Sequence, residues 1–323
     1  MSDTVRSDSG IRSSQSRLAH EALRWGIKPV VLATPMNVQS LRTAVVIDAA
    51  ARLLPQPSGI TREHLQLNGF DAEIVRAMGR SRPLAEGTIL YFHGGGFVCC
   101  GLNTHRPIVA SIAKRTGMAV MSVGYRQLPK TSIEGSVQDC VTAYRWLLDR
   151  GVAPEKVVFA GDSAGGYLAF QTALVARTEG LPAPAGVVGL SPWLDLDCTT
   201  KMAHSNARRD VLFTPDVLAE IGMMGGAVDG VLNPALSPIN GDLATLPPVL
   251  LIAAETEVLR VDSEVMAEKL ADAGVSCDLR IWSGQVHAFP SVFPWLPESR
   301  KALAEVARFI TDRVASDAVA QIA

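Results

Sequence analysis

A serine flanked by glycines offers the first chemistry in this chain. Gly161-Asp162-Ser163-Ala164-Gly165 follows the apolar run Val157-Val158-Phe159-Ala160 and precedes an Ala-rich stretch of helical pattern over 167–176. A short β-branched and aromatic run reads as a buried strand. A serine at a strand-to-helix turn, with glycine two positions to either side, is held with its hydroxyl clear of the backbone at a helix N-terminus. From there it could act as a nucleophile, and the Ala164 N–H faces the same space as an oxyanion donor.

A serine hydroxyl needs a base and a home for the negative charge it creates. His93-Gly94-Gly95-Gly96-Phe97 follows the apolar run 88–92. Consecutive glycines let backbone N–H groups converge on an anion. With Ala164, the N–H groups of Gly94 and Gly95 would form a three-donor oxyanion hole. The loop lacks the Lys-Ser/Thr ending of a phosphate cradle and the glycine spacing of a dinucleotide site. Of six histidines, only His287, in Gly284-Gln285-Val286-His287-Ala288-Phe289, lies between the last expected strand and the last helix. That is where the base belongs when the serine sits on such an elbow. His93 is expected to shape the glycine loop. A carboxylate after the preceding strand must orient the imidazole. Glu255, Glu257 and Asp262 all qualify, and strand alternation does not choose between Glu255 and Glu257.

Elements able to position these groups are visible around them. Strands are expected at 62–67, 72–78, 88–92, 118–123, 157–160, 186–190, 249–253 and 276–282. Helices are expected at 104–115, 137–150, 167–176, 263–273 and 298–314, with two or three more before residue 55. Strand and helix alternating from residue 88 onward imply a mainly parallel sheet with helices on both faces, and sites at the carboxyl ends of its strands. The segments 1–55 and 195–246 stand outside the alternation and are cap candidates, leaving 56–194 and 247–323 as the α/β domain. The polar, Ser-rich first 15 residues read as disordered.

Bulk properties narrow the function. The 323 residues are 48% hydrophobic and 19% charged, with a formal net charge of −2. That balance gives no footprint for nucleic acid or an anionic membrane. Five scattered cysteines form no zinc spacing, and read as reduced thiols in the cytoplasm. No secretory signal or membrane span is expected.

Several of these stretches fall together in a known order. The glycine loop, Tyr125-Arg126-Gln127-Leu128-Pro129, Gly161 to Gly166, Ser191-Pro192-Trp193-Leu194-Asp195-Leu196 and Gly284 to Phe289 resemble the hormone-sensitive-lipase-like family of α/β-hydrolase carboxylesterases over residues 60–315. The resemblance implies an α/β-hydrolase fold with a helical cap, and hydrolysis of short- to medium-chain esters through an acyl-enzyme. It implies no metal or organic cofactor, and a possible homodimer through an edge strand near 276–282. It places the acid on Glu257 of Glu257-Val258-Leu259, glutamate and valine standing where aspartate and proline are usual. Gln127 and Lys130 also depart from the family's usual residues. Phe97, Phe213 and Phe289 are expected to line the substrate pocket. Amide cleavage on the same triad and a non-hydrolytic receptor are the rival readings.

Overall fold

The computed structural model describes residues 5–8, 12–35 and 37–315. In chain order the first elements are strand β1 (Val5–Asp8) and helix α1 (Ser14–Ala22), which runs through a π-helical turn into α2 (Lys28–Ala33), then α3 (Val38–Ala50). The hairpin β2 (Ile60–Gln66) and β3 (Asp71–Ala77) follows, then β4 (Thr88–Phe92), α4 (Leu102–Thr116), β5 (Ala119–Gly124), α5 (Ile133–Leu148), β6 (Val157–Asp162), α6 (Ala164–Thr178) and β7 (Gly186–Leu190). Residues 195–246 hold α7 (Thr199–Ala203), α8 (Pro215–Gly226) and the two-residue strands β8 (Ala227–Val228) and β9 (Val231–Leu232). The chain closes with β10 (Val249–Ala254), α9 (Arg260–Asp272), β11 (Cys277–Trp282), α10 (Phe289–Val292) and α11 (Pro297–Ala315).

Among the described residues, nine strands form one sheet in the order β1-β11-β10-β7-β6-β4-β5-β3-β2. Pairing is parallel except where β3 meets β5 and β2. Alternate side chains of each strand enter different cores. Leu90, Phe92, Val157 and Phe159 pack with Tyr144, Leu168 and Phe170 of α5 and α6. Ile89, Tyr91, Val158 and Ala160 pack with Ile108, Ile112, Leu303 and Ile310 of α4 and α11. Both faces of the central strands are therefore covered, which explains their nearly unbroken apolar runs.

Two expectations change at the N-terminus. Val5–Asp8, within the stretch expected to be disordered, pairs in parallel with β11 from Val5 against Leu279 to Asp8 against Trp282; residues 1–4 and 9–11 lie outside the described residues. β11 is consequently not an open edge, and the pairing surface suggested for a second copy near 276–282 is occupied by the chain itself. The four residues Val5-Arg6-Ser7-Asp8 carry no periodicity that reveals an added strand.

Tertiary contacts also complete a helix that local sequence leaves open. α4 begins after Gly101, whose missing side chain cannot cap it. Asp48 of α3 supplies the carboxylate instead, accepting from Asn103 N–H at 3.0 Å and Thr104 N–H at 2.9 Å. The N-terminal helices are thereby pinned beside the loop that follows β4. Asp48→Ala should lower stability by about 1–2 kcal/mol, the scale of a lost helix cap, as read by urea unfolding of the whole chain.

Candidate active site

Ser163 sits where β6 becomes α6, with φ 53° and ψ −121°, a conformation that is strained for any residue with a side chain. Hydrogen bonds on both sides hold it there. Its N–H donates to Leu190 O at 2.9 Å, and its carbonyl accepts from Tyr167 and Trp193 N–H at 3.1 Å each. The turn is tight enough to bring α6 onto the end of β4. A methyl group at Gly165 would run into the Phe92 carbonyl, and one at Gly161 into the Gly165 carbonyl. The serine hydroxyl hydrogen-bonds to no described residue, so it faces the site unengaged. Ala164 opens α6, so its N–H has no intrahelical partner and points with the positive end of the helix dipole.

The glycine loop is fastened to this turn by a buried charge pair. Asp162, 3% exposed, accepts from Tyr91 OH at 2.7 Å and pairs with His105 Nε2 at 3.2 Å. Burial alone would lower the His105 pKa, but Asp162 outweighs it and raises the value to about 9. Burial likewise pushes Asp162 up, and His105 and Tyr91 more than reverse this, so its pKa is lowered. A protonated His105 donates to the carboxylate, and the Gly94 N–H, 3.2 Å from both, donates to Asp162 as well.

That corrects the oxyanion assignment. Gly94 N–H is committed to Asp162 and cannot serve the site, while Gly95 and Gly96 N–H groups make no hydrogen bond to a described residue. Gly95 has φ 117° and leaves no room for a side chain beside the Cys99 carbonyl. His93 stacks on Tyr125 with ring centroids 4.3 Å apart, and its Nδ1 donates to Gly94 O at 2.8 Å. Burial and the neighbouring His105 lower its pKa to about 4, which keeps it neutral and makes it a brace for the loop.

On the adjacent strand ends, His287 Nδ1 lies 2.6 Å from Glu257 Oε2. Both are buried, at 4% and 1% exposure. The other Glu257 oxygen accepts from Ala254 N–H at 2.8 Å. The rival carboxylates are engaged elsewhere. Glu255 accepts from Ser283 OH at 2.7 Å and Gly284 N–H at 3.0 Å. Asp262 pairs with Lys201 at 2.8 Å and accepts from Leu194 and Asp195 N–H; burial, opposed by Lys201, raises its pKa to about 6.

Residues outside the α/β alternation brace the acid turn. Asn206 Nδ2 donates to the Glu255 and Glu257 carbonyls at 2.8 and 2.9 Å, and Asp210 accepts from Val258 N–H at 2.8 Å. Ser191 Oγ accepts from Ala288 N–H at 2.9 Å, fixing the residue after the imidazole. Ser16 of α1 donates to Gln285 at 3.0 Å, two residues before it. His105, Asn206, Asp210 and Ser191 were not legible as site residues, because each acts through contacts distant in sequence.

The expected pocket aromatics separate. The Phe213 ring meets His287 edge-on at 5.2 Å. Phe97 and Phe289 are each 0% exposed and pack on Tyr167 and Trp193, and on Trp282, respectively. Both are core residues with no face left for a substrate. Among the described residues, no group of three or more His, Cys, Asp or Glu is arranged to hold a metal ion, and no helix is long and apolar enough to cross a membrane.

Residues 89–291 match a family described as alpha/beta hydrolase fold. The carboxylesterase/phospholipase LipF of Mycobacterium tuberculosis is 36% identical over 96% of this chain and 85% of its own. Esterase LipU of the same organism is 38% identical over 83% and 92%. The crystal structure of an esterase from the bacterial hormone-sensitive lipase family superposes with a TM-score of 0.82 at 30% identity, covering 95% of this chain and 100% of the other. The chain belongs to the alpha/beta hydrolase fold family, within its hormone-sensitive-lipase-like esterases.

Burial lowers the His287 pKa, but the Glu257 hydrogen bond and charge, with Asp210 and Asp162 beyond, reverse the shift and raise it above 6.5. Its protonated form therefore adds stability below pH 6.5 that is lost as the pH rises through the higher folded value. An imidazole NMR titration should find His287 titrating above 6.5. In Glu257→Gln burial would be opposed only by Asp210 and Asp162, and the midpoint should fall.

Proposed function

We propose that this protein is a serine carboxylesterase. Ser163 attacks the ester carbonyl while His287 takes the hydroxyl proton and then passes it to the leaving alcohol. Glu257 fixes the imidazole tautomer and stabilises its cation. The N–H groups of Gly95 and Ala164 hold the oxyanion, with Gly96 in the place first given to Gly94. Water activated by His287 then releases the acid. The observation that carries this reading is the buried 2.6 Å Glu257–His287 contact, set on the same strand-end edge as the strained, unengaged Ser163.

Residues 1–55 and 195–246 act in this reading as a cap. Asn206 and Asp210 secure the acid turn, Ser16 the histidine loop, and Lys28 reaches the Asp210 carbonyl. Phe213 would form part of the wall beside the imidazole. The substrates are small esters, which the relatives' names as esterases support, and we take their acyl chains to be short to medium. The five free cysteines fit a reducing compartment, which we take to be the cytoplasm.

Ser163→Ala should lower kcat for an activated ester by about 10⁴-fold or more, measured on 4-nitrophenyl esters of graded chain length. Near-normal turnover by that variant would remove the nucleophile assignment. In the same series, Glu257→Ala should lose far more activity than Glu255→Ala, and the reverse order would reassign the acid.

A further inference from the structure

Two adjacent thiols lie directly against the oxyanion loop, and no step of hydrolysis uses them. Cys99 Sγ is 3.7 Å from Cys100 Sγ and 3.3 Å from the Gly95 carbonyl. Both residues are part-exposed, whereas the other three cysteines are buried. The Gly95 carbonyl also accepts from Val98 and Cys99 N–H at 3.0 Å each. Three groups of the 98–99 turn therefore hold the Gly95–Gly96 peptide, whose N–H, that of Gly96, is proposed to face the substrate. Cys100 sits at φ 67°, and its carbonyl accepts from Gln127 Nε2 at 2.9 Å.

We propose that Cys99 and Cys100 form an oxidisable vicinal dithiol, which a hydroperoxide converts to a disulfide that distorts the Gly95–Gly96 peptide carrying the Gly96 donor and switches hydrolysis off. The regulatory half rests on the esterase reading above. Cys99 is the sulfur disposed to react first. The Cys100 S–H donates to it and lowers its pKa against the effect of burial, while the same bond and burial raise that of Cys100. The Cys99 thiolate attacks a peroxide oxygen, breaking the O–O bond and giving a sulfenic acid and, after one proton is taken up, water. The Cys100 sulfur then displaces the sulfenic hydroxyl, and its own proton leaves with that hydroxyl as a second water. Two thiols and one hydrogen peroxide thus become one disulfide and two waters, the sulfurs oxidised and the peroxide oxygens reduced.

Closing the bond requires the sulfurs to approach to about 2.05 Å between α-carbons only about 3.8 Å apart, below the usual span of a disulfide. The turn must shift, and the Gly95–Gly96 peptide with it. A strained bond of this kind is also readily reduced, which makes the switch reversible.

The test treats the reduced full-length protein with graded hydrogen peroxide. It follows the Cys99–Cys100 peptide by mass spectrometry and hydrolysis of 4-nitrophenyl butyrate before and after dithiothreitol. A loss of two hydrogen masses from that peptide should accompany a fall in activity of about 10²-fold, the scale of one lost oxyanion donor, and dithiothreitol should restore both. Cys100→Ser should start active and resist the reversible loss. A disulfide that leaves activity unchanged, no disulfide in an active enzyme, or equal reversible inactivation of Cys100→Ser would each overturn the proposal. If the reduced protein neither hydrolysed the ester nor took a fluorophosphonate label at Ser163, the esterase reading and the regulatory half would fall together, while the mass readout would still decide the dithiol chemistry.

Discussion

Backbone strain at Ser163 is the constraint on which the rest of the molecule depends. A side-chain-bearing residue at positive φ costs on the order of 1–3 kcal/mol unless its surroundings over-determine it. Here the end of β7, the first turn of α6 and the Trp193 amide all grip the same residue. The reversal is so tight that α6 starts against the end of β4, with room at positions 161 and 165 for glycine alone. Because β4 and β6 are neighbours in the sheet, the same reversal sets the glycine loop beside the hydroxyl. Nucleophile and oxyanion donors are thus one packing unit.

Charge burial completes what that unit begins. Three of the buried carboxylates near the strand ends are each answered differently. Asp162 is held by a protonated His105 and three donors in all, and it ties the loop to the elbow. Asp262 is met by a buried lysine and two backbone amides, and it secures the chain leaving β7. Glu257 alone faces an imidazole with a free second nitrogen. Unpaired, any of the three would carry a desolvation penalty of several kcal/mol, so their partners are as necessary to the fold as the apolar layers. Only the third arrangement leaves an imidazole nitrogen with no hydrogen bond to a described residue.

The extent to which this was legible in the sequence follows the range of the interactions involved. Ser163 and His287 stood out because a local turn and a position after the last strand define them. The parallel sheet and its helices were readable from alternating periodicity, although α6 starts at Ala164 rather than 167, tertiary packing overriding two helix-weakening glycines. Glu255 and Glu257 could not be separated, since β10 ends at Ala254 and both lie in a turn where strand alternation no longer applies. Which of three successive glycines keeps a free N–H depends on Asp162, 68 residues away. Phe289 lies two residues after His287 in sequence, yet α10 turns it into the core shared with Trp282 and Leu303. His105 carries no local signal, and only the fold brings it under Asp162.

Rapid quenching of 4-nitrophenyl butyrate hydrolysis, with mass analysis of the digested protein, addresses the central claim most directly. The account requires a butyryl group on the peptide carrying Ser163, formed at the rate of the 4-nitrophenol burst and decaying at the steady-state rate. Burst and turnover without acylation of that peptide, or with the acyl group on another residue, would contradict it.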